Sequence, residues 1–227
     1  MSSDRKYDEC VLTGCDETTE WQLTWFLNNY VMHERRPLIV SDWGMSEEMV
    51  ARMAQHPSVT GIMNLRESKD KGWFNKPIAM FNSPARKTLW LDTDCEIKRS
   101  LTPLFKQIVP NKLSMVEDKP WTKRRKETWH NSGVVGYIGR PEILHTWCNA
   151  IRANPNVGDQ EVLHGLLNPI TRITHINDIP SEWNVMRLAT DEDGYTGPIS
   201  IQHHTGSKGK VKIRGLMKIK EVISKNA

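Results

Sequence analysis

No run of the 227-residue chain approaches the ~18 consecutive apolar residues of a membrane-spanning helix, and the opening Met1-Ser2-Ser3-Asp4-Arg5 lacks a leader's apolar core. Membrane insertion and secretion are therefore not expected, and a cytoplasmic setting is. Cys10, Cys15, Cys95 and Cys148 form no Cys-x-x-Cys pair and have no histidine at ligand spacing, so neither a zinc site nor a disulfide framework is indicated. Charge of one sign is not in large excess either: 31 basic against 27 acidic residues leave +4, a mild bias toward anionic partners. Internal repeats are absent, which excludes solenoids and propellers.

What remains is an ordinary globular composition, 38% hydrophobic and 26% charged, enough for one sizeable α/β domain. Nine tryptophans are many for this length. Most belong to a core, but the indole face also suits stacking on sugars or bases.

The most informative stretch is Lys87-Thr-Leu-Trp-Leu-Asp-Thr-Asp-Cys-Glu96. Leu89, Trp90 and Leu91 read as a buried strand ending in two carboxylates, Asp92 and Asp94. In open α/β sheets ligands lie beyond the carboxyl ends of the strands, and side chains at i and i+2 leave on one face, close enough to share a divalent cation. An Asp-x-Asp alone is more often a solvated turn or a helix cap. The design recurs upstream. A strand at Val11–Gly14 leads through Asp16 into a helix from about Glu17 to Glu34, with Trp21, Trp25, Asn28 and Met32 along one face. There Asp16 is either an N-cap or a ligand group. Leu38–Val40 ends at Asp42, and Ser46 opens a second helix reaching about Gln55.

After a weaker strand at Val59–Asn64 and a charged loop at 66–71, Pro77 suits the first turn of a short helix and places Lys76 where a phosphate would sit. A short helix is expected at Ser100–Phe105 and a strand at Leu113–Val116. From Glu117 to Trp129 the chain reads as a mobile basic loop, with Lys119, Lys123, Arg124, Arg125 and Lys126 interleaved with Trp121 and Trp129. That is either a solvated face or a contact for an anionic acceptor. A strand at His130–Ile138, a helix from Pro141 to about Ala153 and another from Gly158 to Leu167 follow. Ile170–Ile176 is predicted as a strand from its β-branched content, Ser181–Asn184 as a turn, and Ile199–His204 as a last strand. A basic tail from about 208 to 227 carries Ile213, Leu216, Met217, Ile219 and Val222 as a partial apolar stripe.

Near that tail, His203 or His204 could add an imidazole to Asp92 and Asp94, a mixed oxygen and nitrogen set that Mn²⁺ accepts. Thr205-Gly206-Ser-Lys208-Gly-Lys210 offers a glycine and lysine loop for a diphosphate.

Taken in order, Leu-Trp-Leu-Asp92-Thr-Asp94, Asn131-Ser-Gly133, Gly158-Asp159-Gln160, Trp183-Asn184 and His203-x-x-Gly206 resemble the motifs of the GT-A glycosyltransferases, within them the glycogenin and bacterial lipopolysaccharide galactosyltransferase group. The resemblance spans nearly the whole chain. It implies a single GT-A (Rossmann-like) α/β/α sandwich over residues 1–227, with a mixed, mostly parallel central sheet. It further implies transfer of a sugar, glucose in the first instance, from a UDP-sugar with retention. If inversion held instead, Asp159 or Glu161 would be the general base. By the same resemblance Asp92, Asp94 and His203 hold Mn²⁺ or Mg²⁺. Asp16, Asp42, Lys76, Asp92, Thr93, Gly206, Lys208 and Lys210 bind the donor, and Asn131, Asp159 and Gln160 orient the reacting sugar. The family's phosphate lysine falls on Gly209 here, so Lys208 or Lys210 must substitute.

The early segments Thr13–Asp16 and Asp42–Ser46 are closest to small bacterial and phage glycosyltransferase-like proteins, which implies a bacterial cell or phage-infected host as setting. The acceptor is then a glycan or, given Trp121, Lys123, Arg124, Arg125 and Trp129, a hydroxymethylated pyrimidine in phage DNA. Two rivals predict other readouts: a non-catalytic nucleotide-sugar or nucleic-acid binder, and a metal phosphohydrolase that releases inorganic phosphate.

Overall fold

In a computed structural model, residues 5–66, 72–154 and 156–225 are described; most of the charged loop expected at 66–71 lies outside them. The central sheet is built around β4 (Ala85–Leu91), whose residues from Thr88 to Leu91 are fully buried. Along β4 the side chains alternate between two cores. Leu89 and Leu91 join Val11, Phe26 and Val134 on one face, while Trp90 joins Leu12, Val135 and Trp147 on the other. Such two-sided burial explains the continuous apolar run.

β1 (Tyr7–Cys15) runs parallel to β4 and to β2 (Leu38–Asp42), which pairs in turn with β3 (Val59–Asn64). On the other side β7 (His130–Ile138) is antiparallel to both β4 and β6 (Leu113–Glu117), and the short β8 (Ile176–Asp178) extends the edge parallel to β6. The resulting order is β3-β2-β1-β4-β7-β6-β8, a mixed, mostly parallel seven-stranded sheet. α1 (Trp21–His33), α2 (Glu47–Gln55) and α4 (Thr102–Gln107) cover one face. α3 (Lys76–Phe81), α6 (Glu142–Ala153) and α7 (Asp159–Gly165) cover the other, giving the expected α/β/α layering. A second, three-stranded sheet of β5 (Cys95–Ile97), β10 (Ile201–His203) and β9 (Val185–Met186) sits beyond the carboxyl end of β4. Among the described residues no helix is long and apolar enough to cross a membrane.

Four local expectations are corrected. The first helix begins at Trp21, and its buried face carries Leu23, Phe26, Leu27 and Tyr30, whereas Asn28 and Met32 are exposed. The basic segment after β6 is not a loose loop: Lys119–Arg125 form a helix, α5, with Pro120 in the first turn and Asp118 accepting from Trp121 N at 3.1 Å. Lys126 ends it in the left-handed region, and Asp118 N donating to Trp129 O at 2.8 Å closes the excursion. The segment predicted as a strand from Ile170 is helix α8 (Pro169–His175). Asn168 builds a capping box with Thr171, Pro169 follows at the first helical position, and Ile170 and Ile173 point to solvent. There local capping outweighs β-branched propensity. The basic tail is likewise a helix, α10 (Gly206–Lys225), with Ile213 buried and Met217 packed on the core; the side chains of Lys220 and Val222 lie outside those described.

The capping box of α8 is testable, because Asn168 is exposed and matters only if the segment is helical. Asn168→Ala should lower unfolding free energy in urea by about 1 kcal/mol; no loss would favour an extended segment.

Candidate active site

Beyond the carboxyl ends of β1 and β4, two adjoining clefts of about 160 and 310 Å³ share Lys76, Asp92, Asp94 and Asp159 as common wall. The larger reaches the lower end of the roughly 300–1,000 Å³ of small-molecule sites, and the smaller opens beside it.

Lys76 is the centre of this wall. Its ammonium is buried and lies 3.0 and 3.2 Å from the two oxygens of Asp92, 2.9 Å from Asp159 Oδ2 and 3.1 Å from Ser132 Oγ. Burial alone would push the ammonium toward neutrality. Asp159 and Asp92 outweigh it and hold its pKa above the ordinary lysine value. Asp159 also accepts from Ser132 Oγ at 2.7 Å, and Trp90 Nε1 donates to Asp92 at 2.7 Å, so each carboxylate is locked from two sides.

Asp94 and His203 face each other across the next step of the wall. His203 Nε2 lies 3.0 Å from Asp94 Oδ1 and 3.8 Å from Asp92 Oδ2. Its other nitrogen, Nδ1, sits 3.1 Å from Asn131 Oδ1 and 3.0 Å from Asn184 Oδ1, two acceptors that fix the proton on Nδ1. The Nε2 lone pair of a neutral ring therefore points at two carboxylates, which repel it unless a proton or a cation lies between them. Despite burial, His203 together with Lys210 and Lys76 keeps Asp94 below the usual carboxylate range. Burial raises the pKa of His203's neighbour Asp92, against the pull of Lys76. Two carboxylate oxygens and one imidazole nitrogen suit Mn²⁺ or Mg²⁺. Among the described residues, the ligand atoms that all lie within 4.8 Å of one another are those of Asp94, Cys95 and His203, and Asp92 stands outside that set. Cys95 Sγ is turned to Gly133 O, burial raises its thiol pKa, and sulfur is a soft ligand that suits Mn²⁺ or Mg²⁺ less well than carboxylate oxygen. His204 turns away, bonding Glu96 through Nε2 and meeting Trp25 edge-on. Of the two histidines, His203 is the one that faces Asp92 and Asp94.

Glycine at position 133 is demanded by this arrangement: an added Cβ would lie 2.1 Å from His203 Cε1. A second glycine explains a departure noted in the sequence. At Gly209 a Cβ would lie 1.9 Å from the His204 carbonyl oxygen, so no lysine fits there. Lys210 lines the cleft with Asp92 and Asp94 instead, while Lys208 is exposed. Gly206 and Lys210 belong to the first turns of α10 and not to a loop, with Gly206 in the left-handed region at the cleft edge.

Asp16 lines the smaller cleft with Thr19, Gln22 and Trp43; its Oδ1 accepts from Thr18 and Thr19, so it caps its turn and still reaches the cleft. Thr93 is buried in the same wall. Asp42 does not line the cleft. Its Oδ1 accepts from Gly44 N and Met45 N, and its Oδ2 pairs with Arg66, so it shapes the turn that carries Trp43.

On the opposite side Asn131 and Gln160 are joined at 3.0 Å, and both reach Asp118 at 3.4 Å. Burial lifts Asp118 above the ordinary carboxylate range. Asp118 was missed in the sequence although it follows an apolar strand, as Asp42 and Asp92 do; the surrounding lysines drew the reading toward a loop. Of the basic cluster only Trp121 lines this cleft, with Arg125 over its ring. Trp129 is buried with its face on His164 at 3.7 Å, Arg124 pairs with Glu192 and Asp193, and Lys123 lies 3.7 Å from Asp193.

Superposition on solved structures gives the fold its name. An active-site mutant of LgtC aligns with a TM-score of 0.65 over 87% of this chain and 87% of that one, at 17% identity. The chain has the GT-A glycosyltransferase fold. Within this fold, the glycosyltransferase GlyE of Streptococcus pneumoniae TIGR4 matches with a TM-score of 0.66 at 17% identity over 89% of this chain and 55% of GlyE. Mouse xyloside xylosyltransferase 1 matches at 0.55 and 12% over 88% of this chain and 97% of the mouse protein. No protein-family model and no curated protein sequence matches the chain.

The ion triad makes a strong stability prediction. Lys76→Met would leave Asp92 and Asp159 facing each other without a cation, and should cost about 3–5 kcal/mol in urea unfolding. Adding Asp159→Asn should recover part of that loss, whereas equal losses for single and double variants would show that the pair is not coupled.

Proposed function

We propose that this chain is a divalent-metal-dependent glycosyltransferase that moves a hexose, glucose in the first instance, from a UDP-sugar to an acceptor hydroxyl with retention. One observation carries the reading: His203 Nε2 lies 3.0 Å from Asp94 Oδ1 and 3.8 Å from Asp92 Oδ2, beside the two carboxylates that wall both clefts.

Mn²⁺ or Mg²⁺ held by those three groups would supply the Lewis acid that neutralises charge on the departing diphosphate. The chain's own cation for that charge is Lys210, which lines the same cleft from α10. Asp16, Thr19 and Trp43 offer acceptors and an indole ring at the nucleoside end. Across the wall, Asn131 and Gln160 present amides to sugar hydroxyls, and their bonds to each other and to Asp118 fix the geometry in which the sugar is offered. Asp159 acts through position: paired with Lys76 and Ser132 Oγ, it orients the start of α7 beside the transferring sugar.

A glycan hydroxyl is the acceptor this surface supports best. A polyanion such as DNA needs free cations and open aromatic faces. Lys123 and Arg124 are engaged by Asp193 and Glu192, and Trp129 is buried. Trp121, 37% exposed at the cleft edge, is the remaining platform, and a single indole suits a sugar ring.

In a thermal-shift series, UDP or UDP-glucose with Mn²⁺ should raise Tm by about 5–10 °C at ligand near 100 Kd, and neither component alone should do so. Released UDP, with no inorganic phosphate, is the expected product, and Asp94→Asn should reduce its release by about 100-fold or more. Binding without UDP release would leave a non-catalytic nucleotide-sugar protein, and phosphate release would indicate a phosphohydrolase.

A further inference from the structure

One polar side chain in the smaller of the two clefts is left unused by the fold. Gln22, in the first turn of α1, is only 1% exposed and lines the cleft beside Asp16, Thr19, Trp43 and Lys210. Its amide makes no hydrogen bond among the described residues, although other polar side chains along this segment do: Asn29 bonds Trp25 O, and Thr19 bonds Asp16. A buried amide without partners is costly, and such groups are rare in folded chains. Gln22 is also absent from the fully sealed, unbonded side-chain atoms, so its amide meets the cleft rather than the core.

The surroundings define what it can bind. A diphosphate would be drawn to Lys210 and repelled by Asp16, whereas an uncharged amide next to Asp16 and the half-buried Trp43 suits a neutral ring system with polar edges. Trp43 is held for that purpose: one indole face stacks on Trp90 at 5.7 Å, its Nε1 donates to Ser41 Oγ, and Gly14 leaves the room it occupies, since a Cβ there would come within 2.7 Å of the ring. An amide supplies a donor and an acceptor side by side, which matches a ribose hydroxyl or the edge of a base.

We infer that Gln22 is a specificity-determining residue for the nucleoside of the donor, exchanging a donor and an acceptor bond with it against the wall made by Trp43. This rests on the glycosyltransferase reading above. Sites built to hydrogen-bond a ligand group reject analogues that lack it, because the protein group is then left unpaired.

Calorimetric titration with Mn²⁺ tests this, using UDP, 2′-deoxy-UDP, CDP, ADP, GDP and inorganic pyrophosphate against the wild type, Gln22→Met and Gln22→Glu. Met keeps the volume and removes both bonds; Glu keeps the shape and removes the donor, which guards against a packing defect in either variant alone. Gln22→Met should weaken UDP by roughly 3- to 10-fold while leaving pyrophosphate unchanged, and Gln22→Glu, whose added charge also repels pyrophosphate, should weaken UDP by more than it weakens pyrophosphate. Discrimination against 2′-deoxy-UDP should collapse if the ribose is read, and discrimination among bases if the base is read. Unchanged UDP affinity, or equal weakening of every nucleotide and pyrophosphate, would overturn the inference. Should no nucleotide bind the wild type with Mn²⁺, the glycosyltransferase reading falls and this inference with it; pyrophosphate bound as tightly as UDP would overturn the inference alone.

Discussion

A buried ammonium, Lys76 Nζ, holds together segments that are far apart in sequence at the carboxyl edge of the sheet. It binds the end of β4 through Asp92, the start of β7 through Ser132 and the N-terminus of α7 through Asp159. Two carboxylates and one ammonium out of water are stable only as a set, so the clefts on either side inherit a wall with little freedom. The charge count also matters. One cation between Asp92 and Asp159 leaves Asp94 and the remaining valence of Asp92 facing His203, and the wall is poised to accept a further positive charge at that point.

The other constraints bring His203 to that point. β10 pairs with β5 antiparallel, so Cys95 lies opposite His203 and the acid just before it, Asp94, comes into reach of the imidazole. Gly133 clears the space for the ring, and Asn131 and Asn184 set its tautomer. Asn131 thus connects the two sides of the wall, since its carbonyl oxygen accepts from Asn184 and its amide nitrogen reaches Gln160 and Asp118. A change at Gln160 or Asp118 is therefore felt at His203 through one side chain.

Much of this was legible in the residues. Acids ending apolar strands mark positions at a sheet edge whatever the helices do, and Asp16, Asp42 and Asp92 all lie there. Of the residues that the resemblance names, His203 reaches Asp94, Asp159 meets Asp92 through Lys76, and Asn131 and Gln160 bond each other. What the residues did not reveal depends on pairing in three dimensions. Lys76 reads as a free cation at a helix start, and only the fold shows both of its carboxylates. Lys123 and Arg124 read as a basic run, but their partners, Glu192 and Asp193, come from the segment after α9 (Arg187–Asp191). The helix at Pro169–His175 was hidden because its isoleucines face solvent and its stability comes from the Asn168 cap. Gln22 carries no sequence signal, since a glutamine in an amphipathic helix is ordinarily a surface residue.

The central claim is that Asp92, Asp94 and His203 form a metal centre that faces the donor's diphosphate. Pulsed electron paramagnetic resonance on Mn²⁺ with UDP measures this directly, because a coordinating histidine contributes a ¹⁴N coupling and a nearby phosphate a ³¹P coupling. Both couplings should be present in the wild type, and His203→Ala should remove the nitrogen signal while His204→Ala retains it. Bound Mn²⁺ without nitrogen coupling, or with a nitrogen coupling that survives His203→Ala, would contradict the account.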